Sequence, residues 1–263
     1  MLFETGGLPS YELPEDLERR YGGHLGFDEP RVYANFVASL DGVVAIQGMN
    51  NSSMLISGRS EADRFVMGLL RACADAIVIG AGTFRASPAS LWTSDYIYPD
   101  ATAGFAQLRS GLGRSDAPRL VVLTARGELD PDHPALQAGA LILTTDAGAQ
   151  TLGDRLPGTS TVVALGGGRR IDLTEVMARL TSDGHRVVLA EGGPTVIGGL
   201  LEGHLLDELF LTLSPILAGR GEAGGRPGLV EGAELLPSAS ISGDLLSIRK
   251  QGAHLFLRYA IPG

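Results

Sequence analysis

The chain has 263 residues, of which 44% are hydrophobic and 19% are charged, with a formal net charge of −9. This composition is typical of a folded globular protein and excludes a disordered one, and the negative charge argues against a nucleic-acid partner. The sequence contains no apolar stretch long enough to span a bilayer and no secretory signal core, so we expect a cytoplasmic protein without a membrane partner.

Residues 1–30 are interpreted as an N-terminal extension with a short amphipathic piece, and residues 31–263 as one domain. From Arg31 strands and helices alternate, which is typical of a parallel sheet with crossover helices. Apolar runs predict strands near Arg31–Ala38, Ala76–Ile79, Arg119–Thr124, Ala140–Thr144, Thr161–Leu165, Arg186–Ala190 and Glu208–Leu213. Helical spacing predicts helices near Ser60–Ala74, Ala103–Ser110, Ala147–Arg155, Leu173–Ser182 and Thr195–Gly203.

Two runs near the end of the chain, Leu245–Arg249 and His254–Ala260, predict an antiparallel hairpin that turns at 250–252. The fold class is therefore α/β, with a mixed and mostly parallel sheet, helices on both faces and a C-terminal hairpin. In the helix from Ser60, apolar residues form one face and Arg71 lies opposite them. The irregular stretch Asp95–Arg114 is interpreted as a surface insertion.

Two glycine turns follow apolar strands and carry most of the functional information. They are Gly80-Ala81-Gly82-Thr83 and Glu191-Gly192-Gly193-Pro194-Thr195. A buried strand that ends in glycines and leads into a helix presents free backbone N–H groups to an anion. Two such turns indicate a cofactor with a diphosphate at the carboxyl ends of the strands. The first turn alone is nearly as typical of a tight strand-to-helix connection, whereas Glu191 beside the second indicates a functional site.

Other strand ends are weaker signals. Leu165-Gly166-Gly167-Gly168 is as consistent with a flexible connection as with a cofactor contact. Arg126, shortly after Thr124, is of the type that holds the 2′-phosphate of NADPH, although loop arginines are more often solvated. Ser39-Leu40-Asp41-Gly42 is by itself an ordinary turn.

Several kinds of chemistry are excluded by composition. The five histidines have no metal-ligand spacing and the single cysteine, Cys73, adds none, so no metal is expected. Lys250 is the only lysine, which excludes a P-loop and the Tyr-x-x-x-Lys pair of short-chain dehydrogenases. A Gly-x-Ser-x-Gly nucleophile elbow is also absent.

In this order the motifs resemble the reductase domain of the riboflavin-biosynthesis deaminase–reductases, a branch of the dihydrofolate-reductase-like fold. The resemblance spans about Arg31 to Ala260. The motifs that carry it are Ser39-Leu40-Asp41-Gly42, Ile56-Ser57-Gly58, Leu70-Arg71, Ala74-Asp75-Ala76-Ile77, Gly80-x-Gly82-Thr83-x-Arg85, Glu191-Gly192-Gly193-Pro194-Thr195, Leu206-Asp207-Glu208-Leu209 and Ser214-Pro215.

The resemblance implies an NADPH-dependent reductase that forms a homodimer and acts on a small molecule. Its implied cofactor residues are Gly80, Gly82, Thr83, Thr124, Arg126, Gly166, Gly167, Gly192, Gly193 and Thr195. Its implied substrate residues are Asn35, Ser39, Asp41, Arg85 and Glu191. The cofactor supplies the hydride, and the proton is expected either from Asp41 or Glu191 through water or directly from solvent.

Two departures from the family pattern lie on the substrate side. Many members carry a lysine where this chain has Asn35, and Ala-Asp-Asp-Pro where it has Ala86-Ser87-Pro88. A deaminase domain is missing, so we expect a stand-alone reductase. The substrate is either a ribosylaminopyrimidine phosphate or a pterin such as dihydrofolate. Two alternatives remain: a catalytically silent protein that binds a nucleotide cofactor, and a doubly wound phosphosugar-binding or transferase enzyme, which would not bind NADPH.

Overall fold

The computed structural model describes residues 1–221, 224–237 and 239–262. The strands are β1 (Phe3–Glu4), β2 (Arg31–Ala38), β3 (Ala76–Gly80), β4 (Arg119–Thr124), β5 (Leu141–Thr144), β6 (Thr161–Ala164), β7 (Val187–Ala190), β8 (Glu208–Leu213), β9 (Asp244–Gln251) and β10 (His254–Ala260). The α-helices are α1 (Glu15–Tyr21), α2 (Ser52–Ile56), α3 (Glu61–Cys73), α4 (Ala81–Ala86), α5 (Ser94–Ile97), α6 (Thr102–Gly111), α7 (Pro134–Ala138), α8 (Asp146–Leu152), α9 (Leu173–Ser182) and α10 (Pro194–Glu202). A short 3₁₀ helix spans Pro99–Ala101.

The strands form one ten-stranded sheet in the order β1-β9-β10-β8-β2-β7-β3-β4-β5-β6. From β8 to β6 all neighbouring strands are parallel. Strands β10, β9 and β1 add an antiparallel part at the other end. The expected mixed and mostly parallel sheet with a C-terminal hairpin is confirmed. The hairpin turns at 252–253, later than expected, because Lys250 and Gln251 still pair with β10.

Both faces of the sheet are covered by helices, as expected. The central strand β3 is apolar on both faces, and its residues from Ala76 to Ile79 are buried, which is typical of a parallel strand between two helical layers. One layer packs Leu69 of α3 against Ile77 and its neighbours. The other packs Leu180 of α9 and Leu200 of α10 against Val78.

The segment before β2 is integrated into the fold. Leu17, Leu25 and Phe27 are buried in the same core as Tyr33 of β2. The Phe27 and Tyr33 rings stack with centroids 4.5 Å apart. Strand β1 pairs with β9 at the edge of the sheet. Residues 1–30 therefore pack as part of the main domain and contribute to its core.

The interpretation of Asp95–Arg114 as a surface insertion is wrong. Phe105 and Leu108 of α6 are buried, and the Phe105 ring stacks on Phe65 of α3 with centroids 6.3 Å apart. The segment extends the helical layer over the sheet. No helix of the described residues is both long and apolar enough to cross a membrane.

Candidate active site

The motifs singled out in the sequence lie along one edge of the sheet. Because β2, β7, β3, β4, β5 and β6 are parallel neighbours, their carboxyl ends share that edge. Motifs far apart in the chain are therefore aligned in a row. In order along the edge they are Ser39–Asp41, Glu191–Gly193, Gly80–Thr83, Thr124–Arg126, Thr144–Thr145 and Gly166–Gly168.

The two glycine turns contact each other. A Cβ added at Gly192 would lie 3.1 Å from the backbone nitrogen of Gly80 and 3.1 Å from Val196. A Cβ added at Gly193 would lie 3.3 Å from Thr83 Oγ1. Only a residue without a side chain fits at Gly192 without displacing its neighbours. The close approach of the β3 and β7 ends brings both turns into one site.

Gly82 borders open space beside this contact. It is exposed, and a Cβ built on it would have no neighbour within 4 Å. Gly193 caps the start of α10, whose first residue is Pro194. A helix start preceded by glycines leaves backbone N–H groups free to bind an anion. The predicted cofactor residue Thr195 is exposed on the first turn of α10.

Arg85 and Arg126 both contact Glu128, in the turn that follows β4. Arg85 Nη1 donates to the carbonyl of Glu128 at 3.3 Å, and Arg126 Nη1 lies 3.9 Å from Glu128 Oε1. The Arg126 side chain is 81% exposed. The expected substrate contact of Arg85 stays a prediction; in this structure α4 places its guanidinium against the turn that follows β4. The two arginines form a positive group beside the glycine turns.

Thr124 lies at the turn that carries Arg126, whereas the third glycine turn, Gly166–Gly168, lies further along the same edge of the sheet. Thr124 is buried, and its hydroxyl accepts a hydrogen bond from Gly127 N at 3.1 Å, so it shapes the turn that presents Arg126. Gly166 accepts a bond from Asp146 N at 3.0 Å. Because β6 is three strands beyond β3, at about 4.8 Å a strand, Gly166 and Gly167 lie roughly 14 Å from the first turn.

Asp41 holds a loop. Its carboxylate accepts hydrogen bonds from Ser39 Oγ at 2.6 Å, Ala218 N at 3.0 Å and Gly219 N at 2.7 Å. The Ser39 hydroxyl first, and then these backbone groups, lower the pKa of Asp41 to about 2. A carboxyl that is ionised throughout the neutral range is a poor proton donor. The geometry thus argues against Asp41 as the acid and gives it the task of fixing the loop after Ser214.

Asn35 is a buried polar residue of β2. It is 8% exposed and lines a small cavity of about 10 Å³ together with Thr212 and Arg258. This volume holds about one water molecule. Asn35 and Asp41 are therefore both near the end of β2 but do not line one common cavity in this conformation.

Glu191 is bound by Arg71. Arg71 Nε lies 3.0 and 3.1 Å from the two carboxylate oxygens of Glu191, and Nη2 lies 2.6 Å from Oε2. Nη1 donates to the Thr93 carbonyl at 3.2 Å. The two side chains are 4% and 7% exposed. The expectation that Arg71 faces away from the core is wrong, and Glu191 is an acceptor within an ion pair.

A second carboxyl, which no motif singled out, lies on the same helix. Asp63 is in the first turn of α3 and is 5% exposed. Burial raises its pKa to about 6, opposed by a hydrogen bond from Thr212 and by the charge of His254. Unlike Glu191, it is not among the ion pairs of the described residues.

Comparison with known proteins identifies the family to which this chain belongs. The model of the RibD C-terminal domain matches residues 30–246. The chain belongs to the RibD C-terminal domain family. Two curated relatives are named 2,5-diamino-6-ribosylamino-4(3H)-pyrimidinone 5′-phosphate reductase. The Archaeoglobus fulgidus protein is 27% identical over 220 residues, 81% of this chain and 91% of that protein. The Methanothermobacter thermautotrophicus protein is 29% identical over 197 residues, 74% and 82% of the two chains.

Solved structures agree on the fold of this RibD C-terminal domain. A pyrimidine reductase-like protein from Corynebacterium diphtheriae superposes with a TM-score of 0.69 at 24% identity, covering 89% of this chain and 92% of that chain. A riboflavin biosynthesis reductase of Saccharomyces cerevisiae gives a TM-score of 0.59 at 16% identity, covering 94% and 98%. The family match begins at residue 30, although the preceding segment of this chain contributes to the same core.

Two residues of this RibD C-terminal domain were not identified as site residues from sequence. Arg71 belongs to the Leu70-Arg71 motif that supported the resemblance, and that motif was the available signal. Asp63 had no such signal, because an acid in the first helical turn is ordinarily explained by the helix dipole. Thr212, whose hydrogen bond lowers the pKa of Asp63, lies 149 positions later in the chain.

Proposed function

We propose that this chain is a stand-alone reductase that uses NADPH to reduce the ribosyl group of a ribosylaminopyrimidine 5′-phosphate. The contact between the Gly192 turn and the Gly80 turn supports the proposal, because it brings together two strand ends of the kind that bind a dinucleotide. The names of the two curated relatives support the substrate class.

The residues present fit a dinucleotide. Gly80, Gly82, Gly192 and Gly193 would hold its diphosphate, since the space beside Gly82 is open and Gly192 allows the two turns to approach. Arg126, with Arg85 beside it, would bind the 2′-phosphate and favour NADPH over NADH. When bound, the cofactor supplies the hydride.

The chain's own residues position the reactants. The Arg71–Glu191 pair fixes the end of β7 against α3, so the backbone of the Gly192 turn keeps its orientation. Asp41 fixes the loop that begins near Ala218. Since both carboxylates are engaged as hydrogen-bond acceptors, we propose that solvent supplies the proton and that Asp41 and Glu191 position the site.

Two measurements test this function. Fluorescence titration with NADPH and with NADH measures cofactor binding and its selectivity. Absorbance of the reduced nicotinamide then reports turnover with 2,5-diamino-6-ribosylamino-4(3H)-pyrimidinone 5′-phosphate and with dihydrofolate. We expect tight NADPH binding and turnover of the ribosylaminopyrimidine. The variant Gly111→Ala is the control for glycine replacements, because Gly111 ends α6, is exposed and has open space around its Cβ position.

Other outcomes select the alternatives. Tight NADPH binding without turnover of either substrate would indicate a silent nucleotide-binding protein. Failure to bind NADPH would contradict the reductase and favour the phosphosugar-binding reading.

We also propose a homodimer, on the family resemblance. Leu40, Ile216 and Leu217 are exposed apolar side chains, and the backbone of Leu40 bonds to that of Ile216. This patch is the candidate contact surface. Sedimentation equilibrium of wild type and of Leu217→Glu measures the assembly, and a monomeric wild type would contradict it.

A further inference from the structure

A cavity of about 660 Å³ lies between helix α1, the first half of helix α3 and the β9–β10 hairpin. We call it the hairpin cavity. Its volume is in the range of small-molecule sites, which is about 300–1,000 Å³. The described residues that line it include neither the glycine turns nor Asp41, Glu191 and Arg126. The hairpin cavity is therefore distinct from the candidate active site.

The floor of the hairpin cavity is one face of the hairpin. Arg249 of β9 and Phe256 of β10 are register partners, so their side chains lie on the same face. His254 precedes Phe256 by two positions and lies on that face as well. These residues and helix α1 lie outside residues 30–246, which the family model matches. The cavity is therefore formed largely by parts of the chain that the family match does not include.

The lining of the hairpin cavity is positively charged, although the formal net charge of the protein is −9. Arg19, Arg20 and Arg249 line it, and Glu61 is the one acid among its described lining residues. Glu61 Oε1 already accepts a hydrogen bond from the Tyr98 hydroxyl at 3.1 Å. An excess of guanidinium groups in a concave site attracts an anion.

Two of these arginines share one carboxylate. Arg20 Nε lies 2.7 Å from Asp16 Oδ2, and Arg19 Nη2 binds the other oxygen of Asp16. One of the two positive charges therefore has no carboxylate partner among the described ion pairs. Arg20 Nη1 donates to the Tyr98 hydroxyl at 3.0 Å, which fixes the guanidinium group. Since these contacts engage Nε and Nη1, the Nη2 group of Arg20 is available to a ligand.

Arg249 has a donor that the described residues leave unused. Its Nη2 lies 2.6 Å from Glu4 Oε2, and its Nη1 donates to Ser247 Oγ at 2.8 Å. Its Nε has no hydrogen-bond partner among the described residues, although the side chain is only 8% exposed. A buried donor without a partner destabilises a fold, so an acceptor oxygen from a ligand or a water stabilises this site.

Aromatic side chains form the apolar part of the lining. Phe256 is half-buried on the floor, and Phe65 and Tyr98 meet edge to face with centroids 5.4 Å apart. The guanidinium carbon of Arg249 lies 4.0 Å from the centroid of the Tyr21 ring. A planar ring packs well against aromatic and aliphatic side chains, while arginines bind an attached anionic group.

We propose that the hairpin cavity is a second ligand site, which binds a mononucleotide with its base beside Phe256 and Val66 and its phosphate at Arg19 and Arg20. A phosphate monoester carries a charge of about −2 near neutral pH, and its three oxygens match the donors of a guanidinium fork. The volume and the aromatic lining favour a phosphate attached to a ring over inorganic phosphate. This site goes beyond the proposed reductase function and does not depend on it.

The first test is calorimetric titration with NADP⁺ in excess, so that the candidate active site is occupied. Adenosine and uridine 5′-monophosphate are each compared with the free nucleoside and with inorganic phosphate. We expect at least one nucleotide to bind about tenfold or more tightly than either of its parts. Arg20→Gln should weaken that binding at least about tenfold with its unfolding midpoint retained. Arg179→Gln should not, and it is the matched control because Arg179–Asp183 is an exposed helical pair with the same spacing as Arg20–Asp16.

The second test locates the bound nucleotide. His254 lines the cavity, and its ring resonance can be assigned in a ¹H–¹³C NMR spectrum by its loss in His254→Gln. We expect this resonance to shift when the nucleotide saturates the protein, and the resonance of His185, which does not line the cavity, to stay in place. Failure of both nucleotides to bind, equal affinity in Arg20→Gln, or binding that leaves the His254 resonance unchanged would each overturn the assignment.

Discussion

Arg71 Nη2 lies 2.6 Å from Glu191 Oε2, and Arg71 Nε lies within 3.1 Å of both carboxylate oxygens. The pair joins the end of α3 to the residue that precedes the Gly192 turn. It therefore couples the helix that carries Asp63 to the turn proposed to hold the cofactor phosphates.

Breaking this pair should destabilise the protein strongly. Arg71→Gln or Glu191→Gln leaves the other group buried without its charged partner, and we expect a loss of about 3–5 kcal/mol in the free energy of unfolding. The double variant should recover part of the loss. Urea unfolding measures all three.

The exposed pair Arg179–Asp183 is the matched control, since its atoms are 2.8 Å apart and its side chains are 40% and 31% exposed. Arg179→Gln should change stability by less than about 1 kcal/mol. Similar losses at the two pairs would contradict a buried, coupled Arg71–Glu191 contact.

The two glycine turns should respond differently to alanine. Gly82→Ala places a methyl group in open space within α4, so the free protein should keep its stability or gain up to about 1 kcal/mol. NADPH affinity should fall at least tenfold, because the methyl group occupies the space proposed for the diphosphate. Gly192→Ala should lower both the stability and the NADPH affinity, since its Cβ would lie 3.1 Å from Gly80 and Val196. Fluorescence titration and thermal unfolding separate the two effects, and unchanged NADPH affinity of a folded Gly82→Ala would contradict the placement.

Arg126 should determine the choice between NADPH and NADH. Arg126→Ala removes a charge proposed to meet the 2′-phosphate, so NADPH should bind about tenfold more weakly while NADH binding stays constant. Arg85→Ala should act in the same direction because both arginines contact Glu128. Titration with each nucleotide measures the ratio. Arg179→Ala, on α9, serves as the control, and an equal loss for both nucleotides would argue against a 2′-phosphate contact.

Removing the Asp63 charge should stabilise the free protein. Burial raises the pKa of this carboxyl from 3.8 to about 6, so the folded state binds a proton more tightly than the unfolded chain does. Its contribution to stability consequently falls as the pH rises from about 4 to 6 and is constant above that range. The shift corresponds to about 3 kcal/mol, which is the upper limit of the gain for Asp63→Asn at pH about 7.5. Urea unfolding of Asp63→Asn, with Glu61→Gln as control, should show that the gain in the free energy of unfolding disappears near pH 4. A difference between variant and wild type that does not change with pH would contradict a raised pKa for Asp63.

The sequence by itself determined the alternation of strands and helices, the mixed sheet and the row of glycine turns. Apolar runs such as Ala76–Ile79 define buried strands, and parallel strands place all their carboxyl ends together. The short helices α2, α4, α5 and α7 were not predicted, because elements of four to six residues show too little periodicity.

Only the tertiary structure decided which side chains act together. Periodicity placed Arg71 opposite the apolar face of its helix, but its partner Glu191 is 120 positions away and lies on β7, so no local pattern reveals the burial of the pair. Asp63 and Thr212 likewise lie on two elements far apart in the chain, α3 and β8. Local hydrophobic patterning specifies the elements, whereas the pairing, charge state and accessibility of polar groups depend on contacts between residues far apart in the chain.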